Sequence, residues 1–247
     1  MNHEAIFGRV LLFDEVISAG DEISEGRNLL HHAALLAPVF TELTTTEVRE
    51  YLRPNLFANT PDILHAYLQH GGRPAFHARL LLAATLGASY GIYSGFELAE
   101  AQAVPGTEEY ADSEKYQFRH WDWNRPGHLK ELIGRVNEVR RAHPALHSDR
   151  SLRFHATDNP EIIAYSKTTP DGSDTILVIV NLDPLHMQHG HVEVPLDRVG
   201  AAASDASYTV RDVIDEVNYE WRGAWNYVRF DPEIRQGHIL WLPKPRV

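Results

Sequence analysis

The chain has 247 residues, an ordinary apolar content and a formal net charge of −11 at neutral pH. This charge disfavours nonspecific binding to nucleic acid, which needs clustered lysine and arginine, and no basic amphipathic segment suggests a membrane surface. No run approaches the ~18 apolar residues of a membrane span, and the first residues do not resemble a signal peptide. The absence of cysteine excludes disulfides and thiolate metal sites. We therefore expect a cytoplasmic protein whose small partner is neutral or is an anion held by a few local cations.

The first 46 residues have no assigned domain and predict only local structure. The stretch NLLHHAALLAPVF, residues 28–40, predicts a helix that stops near Pro38. Thr44 and Glu47 have the spacing of a capping box, which predicts a short helix that continues through Tyr51.

Residues 47–148 alternate between strand-like and helix-like patterns. LFAN predicts a short buried strand, and DILHAYLQ predicts a helix that is interrupted at Gly71 and Gly72. The apolar spacing in PAFHARLLLAATLGA predicts a buried helix, SYGIYSG a second strand, and residues 128–143 a further helix. The two strands are separated by about the length of one βαβ unit, roughly 30 residues or more. This order favours parallel β/α architecture.

Residues 149–247 contain short strand patterns separated by turn residues. IIAYSKTT and DTILVIVNLD flank a Pro-Asp-Gly-Ser turn, and HVEVPL, YTVRDVID and HILWLP follow. They predict an antiparallel β-sandwich domain. A complete (β/α)8 barrel takes about 250 residues, so residues 47–148 can hold only its final units. The predicted fold class is α/β plus all-β: the C-terminal part of a (β/α)8 catalytic barrel at 47–148, then an antiparallel β-sandwich domain at 149–247.

Several side chains lie where a β/α barrel carries its chemistry, after the C-terminal ends of the strands. Asp62 follows the first strand in the stretch LFANTPDIL and fits either a catalytic carboxylate or a helix N-cap. The loop after the second strand is longer than most loops in compact domains and contains Lys115 and Tyr116. This pair fits either a binding site or a solvated lysine beside a packed tyrosine.

Two further patterns admit a functional interpretation and a structural one. His186, His189 and His191 have a spacing that could bind a metal, although we favour exposed histidines in a loop between strands. Trp221 and Trp225 could form a platform that stacks on sugars, although we favour the core or edge of the sandwich.

Three motifs occur together and in order: RPNLFANTPDIL, YGIYSGFELAE and SEKYQFR. Together they resemble the alpha-1,4-glucan:maltose-1-phosphate maltosyltransferases, which belong to the alpha-amylase superfamily. The segments DTILVIVNLDP and NYVRFDP look like that family's C-terminal β-domain. The resemblance covers roughly residues 47–247.

The resemblance implies transfer of maltosyl units from α-maltose 1-phosphate to the non-reducing end of α-1,4-glucans, with retention, in glycogen biosynthesis. It implies that Asp62 stabilises the transition state and that Lys115 and Tyr116 contact the maltosyl donor. It implies no metal or other cofactor, and it allows a homodimer of the full-length enzyme.

The chain departs from the family pattern in one respect. Retention requires a carboxylate nucleophile and a carboxyl general acid about 5 Å apart, and the motifs that carry them have no match before residue 47. We therefore expect the chain alone to be inactive. Two alternatives stay open: part of a related glucan hydrolase or trehalose-forming isomerase, and a non-catalytic carbohydrate-binding or interaction module.

Overall fold

The structure is a computed structural model that describes residues 31–113, 118–199 and 207–242. Helix α1 spans His31–Thr45, so the prediction that the helix stops near Pro38 is wrong. The proline removes one backbone donor, but the helix continues past it and buries Phe40 and Leu43 in the core. Residues 28–30 of the predicted helix lie outside the described ranges.

The predicted capping box is also wrong in its position. A short 3-10 helix spans Glu47–Glu50, and its N-cap is Thr46, whose hydroxyl accepts a hydrogen bond from the backbone N–H of Val48. The hydroxyl of Thr44 instead donates to the carbonyl of Phe40 within α1. The side chain of a threonine near a helix end can bond to either turn, so spacing alone did not identify the cap.

The next part is a parallel β/α unit, in the order that the sequence predicts. Strands β1 (Asn55–Phe57) and β2 (Ser89–Gly91) pair in parallel and are joined by helix α2 (Ala66–Leu86). The helix is kinked at Gly72, whose φ of 60° is accessible to glycine, and this agrees with the predicted interruption. Two 3-10 helices at Phe96–Leu98 and Pro144–His147 flank helix α3, which spans Lys130–Ala142.

The remaining residues form two antiparallel sheets, as predicted. The elements are β3 (Arg153–His155), β4 (Ile162–Thr168), β5 (Thr175–Asn181), β6 (Gln188–Glu193), helix α4 (Leu196–Val199), β7 (Ser207–Asp212), β8 (Val217–Arg222), β9 (Trp225–Phe230) and β10 (Gly237–Trp241). One sheet has six strands in the order β3-β4-β5-β10-β7-β8, and the other pairs β6 with β9. Strands β3, β8 and β9 were not predicted.

The two faces of the six-stranded sheet pack into two different cores. One face, with Tyr165 and Val178 among its residues, shares a core with helices α1, α2 and α3. The other face, with Leu177 and Ile179, packs on the β6–β9 sheet. The molecule therefore has three layers: helices, six-stranded sheet and two-stranded sheet. Because one core crosses residue 149, the domain boundary there stays a prediction.

Buried hydrogen bonds also connect the helical layer to the six-stranded sheet. The hydroxyl groups of Thr85 and Tyr165 lie 2.6 Å apart. The side-chain nitrogen of Lys167, which is 1% exposed, donates to the carbonyl of Gly87 at 3.0 Å. These bonds satisfy polar groups that would otherwise be costly to bury, so they specify how the two layers dock.

The histidines predicted to occupy a loop lie elsewhere. His189 and His191 are on strand β6, and only His186 precedes it. Among the described residues, no three histidine, cysteine or acidic side chains are grouped in a way that could hold a metal ion. None of the helices in the described ranges is long and apolar enough to cross a membrane.

Candidate functional site

Asp62 lies on an exposed turn that follows strand β1. Because β1 and β2 are parallel, their C-terminal ends meet at the same edge, and the segments after both strands lie close together. The backbones of Thr60 and Ile63 close the turn by bonding each other at 3.3 and 3.4 Å. Helix α2 begins at Ala66 with His65 at its N-cap, so the N-cap interpretation of Asp62 is wrong.

Asn59 joins the segment after β1 to the segment after β2. Its side chain is buried, and its carboxamide oxygen accepts a hydrogen bond from the backbone N–H of Tyr93 at 2.8 Å. Its amide nitrogen donates to the hydroxyl of Tyr110 at 2.6 Å and contacts the carbonyl of Tyr93 at 3.5 Å. Burial raises the pKa of Tyr110, so this hydroxyl is neutral at physiological pH.

Contacts on the other side of the turn attach it to the loop that follows β2. The backbone N–H of Leu64 donates to the carbonyl of Glu108 at 2.5 Å, and Nδ1 of His65 lies 3.1 Å from the Glu108 carboxylate. From α2, the buried guanidinium of Arg79 donates to the carbonyl of Ala58 at 3.2 Å. The turn is therefore attached to its surroundings on both sides.

A buried carboxylate organises the loop that follows β2. Glu100 accepts hydrogen bonds from Arg119 at 3.4 Å and from Arg125 at 3.2 Å. Arg119 also donates to the carbonyl of Ala111 at 3.2 Å, and its guanidinium lies 4.0 Å from the centre of the Trp121 ring. Arg119 thus links the chain on both sides of residues 114–117.

Lys115 and Tyr116 lie outside the described residues, so the structure does not test their predicted contact with a donor. Neighbouring residues show where their loop begins. The hydroxyl of Tyr93 lies 3.4 Å from that of Ser113, and the rings of Tyr93 and Tyr110 are 5.6 Å apart. The loop therefore leaves the same edge of the parallel sheet as the turn that carries Asp62.

This arrangement suits electrostatic stabilisation of a developing positive charge. Such stabilisation is effective when the charged group is already in place and does not have to reorganise during the reaction. The turn that carries Asp62 is short and is attached at both ends, which meets this requirement.

Sequence reasoning missed the residues that support the turn. Asn59 had a usable signal, because it is a polar residue directly after a buried strand. Tyr110, which is 51 positions away from Asn59, had none. The roles of Glu100 and Arg119 depend on a loop that folds back on itself, so spacing did not reveal them.

Comparison with known proteins gives strong matches to one family. The family model described as GLGE, C-terminal, matches residues 154–242. An alpha-1,4-glucan:maltose-1-phosphate maltosyltransferase of Cereibacter sphaeroides is 49% identical over 208 residues, which are 84% of this chain and 31% of the relative. One from Chlorobaculum tepidum is 42% identical over 226 residues, 89% of this chain and 33% of the relative. The chain thus spans about a third of the length of these relatives.

Solved structures share the fold at much lower sequence identity. An Anoxybacillus alpha-amylase superposes with a TM-score of 0.61 at 14% identity, covering 95% of this chain and 47% of the other. An alpha-amylase from Malbranchea cinnamomea has the same TM-score at 15% identity, covering 94% of this chain and 44% of the other. At these identities the similarity concerns the fold alone.

Proposed function

We infer the function of this chain from its family, since the matched residues belong to the alpha-1,4-glucan:maltose-1-phosphate maltosyltransferases, as the sequence motifs predict. We propose that the chain is part of an enzyme that transfers maltosyl units from α-maltose 1-phosphate to the non-reducing end of an α-1,4-glucan with retention. The observation that carries this proposal is the 49% identity to a maltosyltransferase over 84% of the chain.

In this proposal Asp62 stabilises the transition state. Glycosyl transfer with retention passes through an oxocarbenium-like state, which a fixed carboxylate can support. The exposed position of Asp62 at the end of a parallel strand, on a turn attached at both ends, supports this role. The nucleophile and the general acid have no assigned residue in this chain, so we expect turnover only in an enzyme of the relatives' full length.

Lys115 and Tyr116 bind the maltosyl donor in the same proposal. A lysine supplies a mobile positive charge for phosphate or hydroxyl groups, and a tyrosine supplies a rigid amphipathic surface. The network of Glu100, Arg119 and Arg125 supports this role, because it anchors the loop on the C-terminal side of the pair.

The proposed architecture is the C-terminal part of a (β/α)8 barrel at residues 47–148 followed by a β-sandwich domain at 149–247. The parallel pair β1–β2 with its connecting helix supports the first assignment, and the two antiparallel sheets support the second. A cytoplasmic location and a homodimer of the full-length enzyme are further parts of the proposal, which includes no cofactor.

The test compares two aspartates in an enzyme of the relatives' full length that carries these residues. The assay measures phosphate released from α-maltose 1-phosphate with glycogen as acceptor. We expect Asp62→Asn to lower kcat by about 10²–10³-fold, as when one preorganised stabilising group is removed. Asp112→Asn is the matched control, because Asp112 is also exposed and its φ of 53° suits asparagine.

A near-normal rate for Asp62→Asn would refute the assigned role. Phosphate release also separates the proposal from a glucan hydrolase, which would cleave the glucan without consuming maltose 1-phosphate. Turnover by the isolated 247-residue chain would contradict the expectation that it is inactive.

A further inference from the structure

The outer face of the β6–β9 sheet carries a row of exposed ring side chains. Trp225 and Tyr227 alternate with buried residues along β9 and are 49% and 53% exposed. His189 and His191 are exposed on the paired strand β6. We call Trp225, Tyr227, His189 and His191 the aromatic strip. Trp221, in contrast, is buried in the sandwich core, so of the two tryptophans only Trp225 can contact a ligand at this face.

The rings of the aromatic strip lie close together. The Tyr227 ring is 5.9 Å from that of His189 and 5.6 Å from that of His191. Trp225 is two residues before Tyr227 on the same face, a separation of about 7 Å along a strand. Asp158 orients His191 by accepting hydrogen bonds from its backbone N–H at 2.6 Å and pairing with its Nδ1 at 2.9 Å. The rings of His189 and His191 are tilted by 40° and 65° to that of Tyr227, so the strip is a cluster of exposed rings with an ordered edge.

The three-layer arrangement turns the aromatic strip away from the helices. The opposite face of the β6–β9 sheet buries Val192, Val228 and Phe230 against the six-stranded sheet. That sheet packs its other face on α2 and its neighbours. The strip is consequently on the far side of the sandwich from the turn that carries Asp62, and a ligand there would not compete with the site after β1.

The chemistry of the strip fits a neutral polysaccharide. Flat aromatic rings stack on the C–H faces of sugars, and the hydroxyl of Tyr227 and the ring nitrogens of the histidines can bond sugar hydroxyls. Arg229 and Glu193 lie at the two ends of the strip, opposite His189 and Trp225, and the Asp158 carboxylate pairs with His191. The surface therefore has no excess of positive charge to attract a polyanion. Clustered exposed rings are unusual on a protein surface and mark binding sites.

We propose that the aromatic strip is a non-catalytic binding site for an α-1,4-glucan chain. The identity of the glucan rests on the proposed function, because the relatives are named for an α-1,4-glucan. A polymer bound at the strip stays near the enzyme, so its free ends reach the catalytic site at a raised effective concentration.

The test is affinity electrophoresis of the 247-residue chain in gels that contain glycogen, with dextran gels as the reference. Because binding does not require turnover, the 247-residue chain is a suitable sample even though we expect it to be inactive. We expect glycogen to retard the chain, and Trp225→Ala and Tyr227→Ala each to weaken the apparent affinity by about tenfold or more, equivalent to about 1.4 kcal/mol. Tyr227→Phe keeps the stacking ring and should retain most of the affinity.

Tyr51→Ala is the matched control, because Tyr51 is 62% exposed and lies just after the 3-10 helix at residues 47–50. Urea unfolding of each variant shows whether it is folded. The proposal is overturned if the chain does not bind glycogen, if Tyr227→Ala binds as well as the unaltered chain, or if Tyr51→Ala loses as much affinity.

The two proposals fail in different experiments. If the full-length enzyme releases phosphate but the strip variants bind glycogen normally, the glucan-binding role of the strip is refuted and the maltosyltransferase function stands. If the strip binds glycogen but the full-length enzyme does not use maltose 1-phosphate, the binding site stands and the proposed reaction is refuted.

Discussion

Replacing Asn59 with alanine tests whether a buried amide holds the candidate site together. The change removes the acceptor of the Tyr93 backbone N–H at 2.8 Å and the donor to the Tyr110 hydroxyl at 2.6 Å. The third contact, to the Tyr93 carbonyl, is 3.5 Å long and contributes little. Each lost bond that leaves a buried group unsatisfied costs about 1–3 kcal/mol. We expect Asn59→Ala to lower the free energy of unfolding by about 2–4 kcal/mol.

Urea unfolding of the chain, followed by circular dichroism, measures this loss. Asn55→Ala is the matched control, because Asn55 is on the same strand segment but is exposed and accepts one hydrogen bond, from Ser89 at 2.8 Å. We expect this control to change the free energy of unfolding by no more than about 0.5 kcal/mol, as is usual for surface substitutions.

A double-mutant cycle isolates the bond between the two side chains. Tyr110→Phe removes only the hydroxyl and keeps the ring packing, so we expect it to cost about 1 kcal/mol. Because Asn59 and Tyr110 are in contact, their effects should not add, and the coupling should be about 0.5–3 kcal/mol. Equal losses for Asn59→Ala and Asn55→Ala, or strictly additive effects in the cycle, would show that the amide does not hold these loops together.

Two further predictions concern the docking of the layers. Burial lowers the pKa of Lys167 from 10.5 to about 7. Between these two pH values the unfolded chain binds more protons than the folded chain, so the free energy of unfolding should rise with pH. Urea unfolding at pH 7 and pH 9 should show this rise in the unaltered chain and a smaller rise in Lys167→Met. An equal rise in the free energy of unfolding for both proteins would contradict the prediction. A Cβ at Gly237 would lie 2.6 Å from the carbonyl of Ile179 and 2.7 Å from Leu81. Because of this overcrowding, Gly237→Ala should lower the free energy of unfolding by about 1–3 kcal/mol. Gly134 on helix α3 has open space around it, so in the same urea assay Gly134→Ala should raise the free energy of unfolding by about 0.5–1 kcal/mol. A higher free energy of unfolding for both alanine variants would refute the packing argument.

Some features of the sequence misled local reasoning for identifiable reasons. Pro38 suggested a helix end, but burial of neighbouring apolar residues outweighs one missing backbone bond. The loop predicted to contain His189 and His191 is instead strand β6, which also includes Gly190. Position 190 has room only for a glycine, because a Cβ there would lie 2.5 Å from the Asp158 carboxylate. A glycine that allows close approach resembles, in sequence, a glycine that makes a turn.

Features that depend on local pattern can be predicted from the amino-acid sequence alone. The parallel β/α unit follows from apolar runs of strand and helix period, and the antiparallel hairpin β4–β5 follows from alternating strands around a turn. The resemblance to the maltosyltransferases rests on three ordered motifs, and the similar relatives carry that family's name. These features need only residues that are close together in the chain.

Long-range packing determines which distant side chains meet and which faces are exposed. Strand β10 inserts between β5 and β7, so the sheet order is not the chain order. This pairing buries Trp221 in the core, whereas Trp225, on the outer sheet, is exposed. The bond from Asn59 to Tyr110 likewise requires that two loops leave the same edge of the sheet. Contacts of this kind depend on which strands and loops pair over long distances in the chain. The burial of apolar faces determines these pairings, and the local spacing of residues does not reveal them.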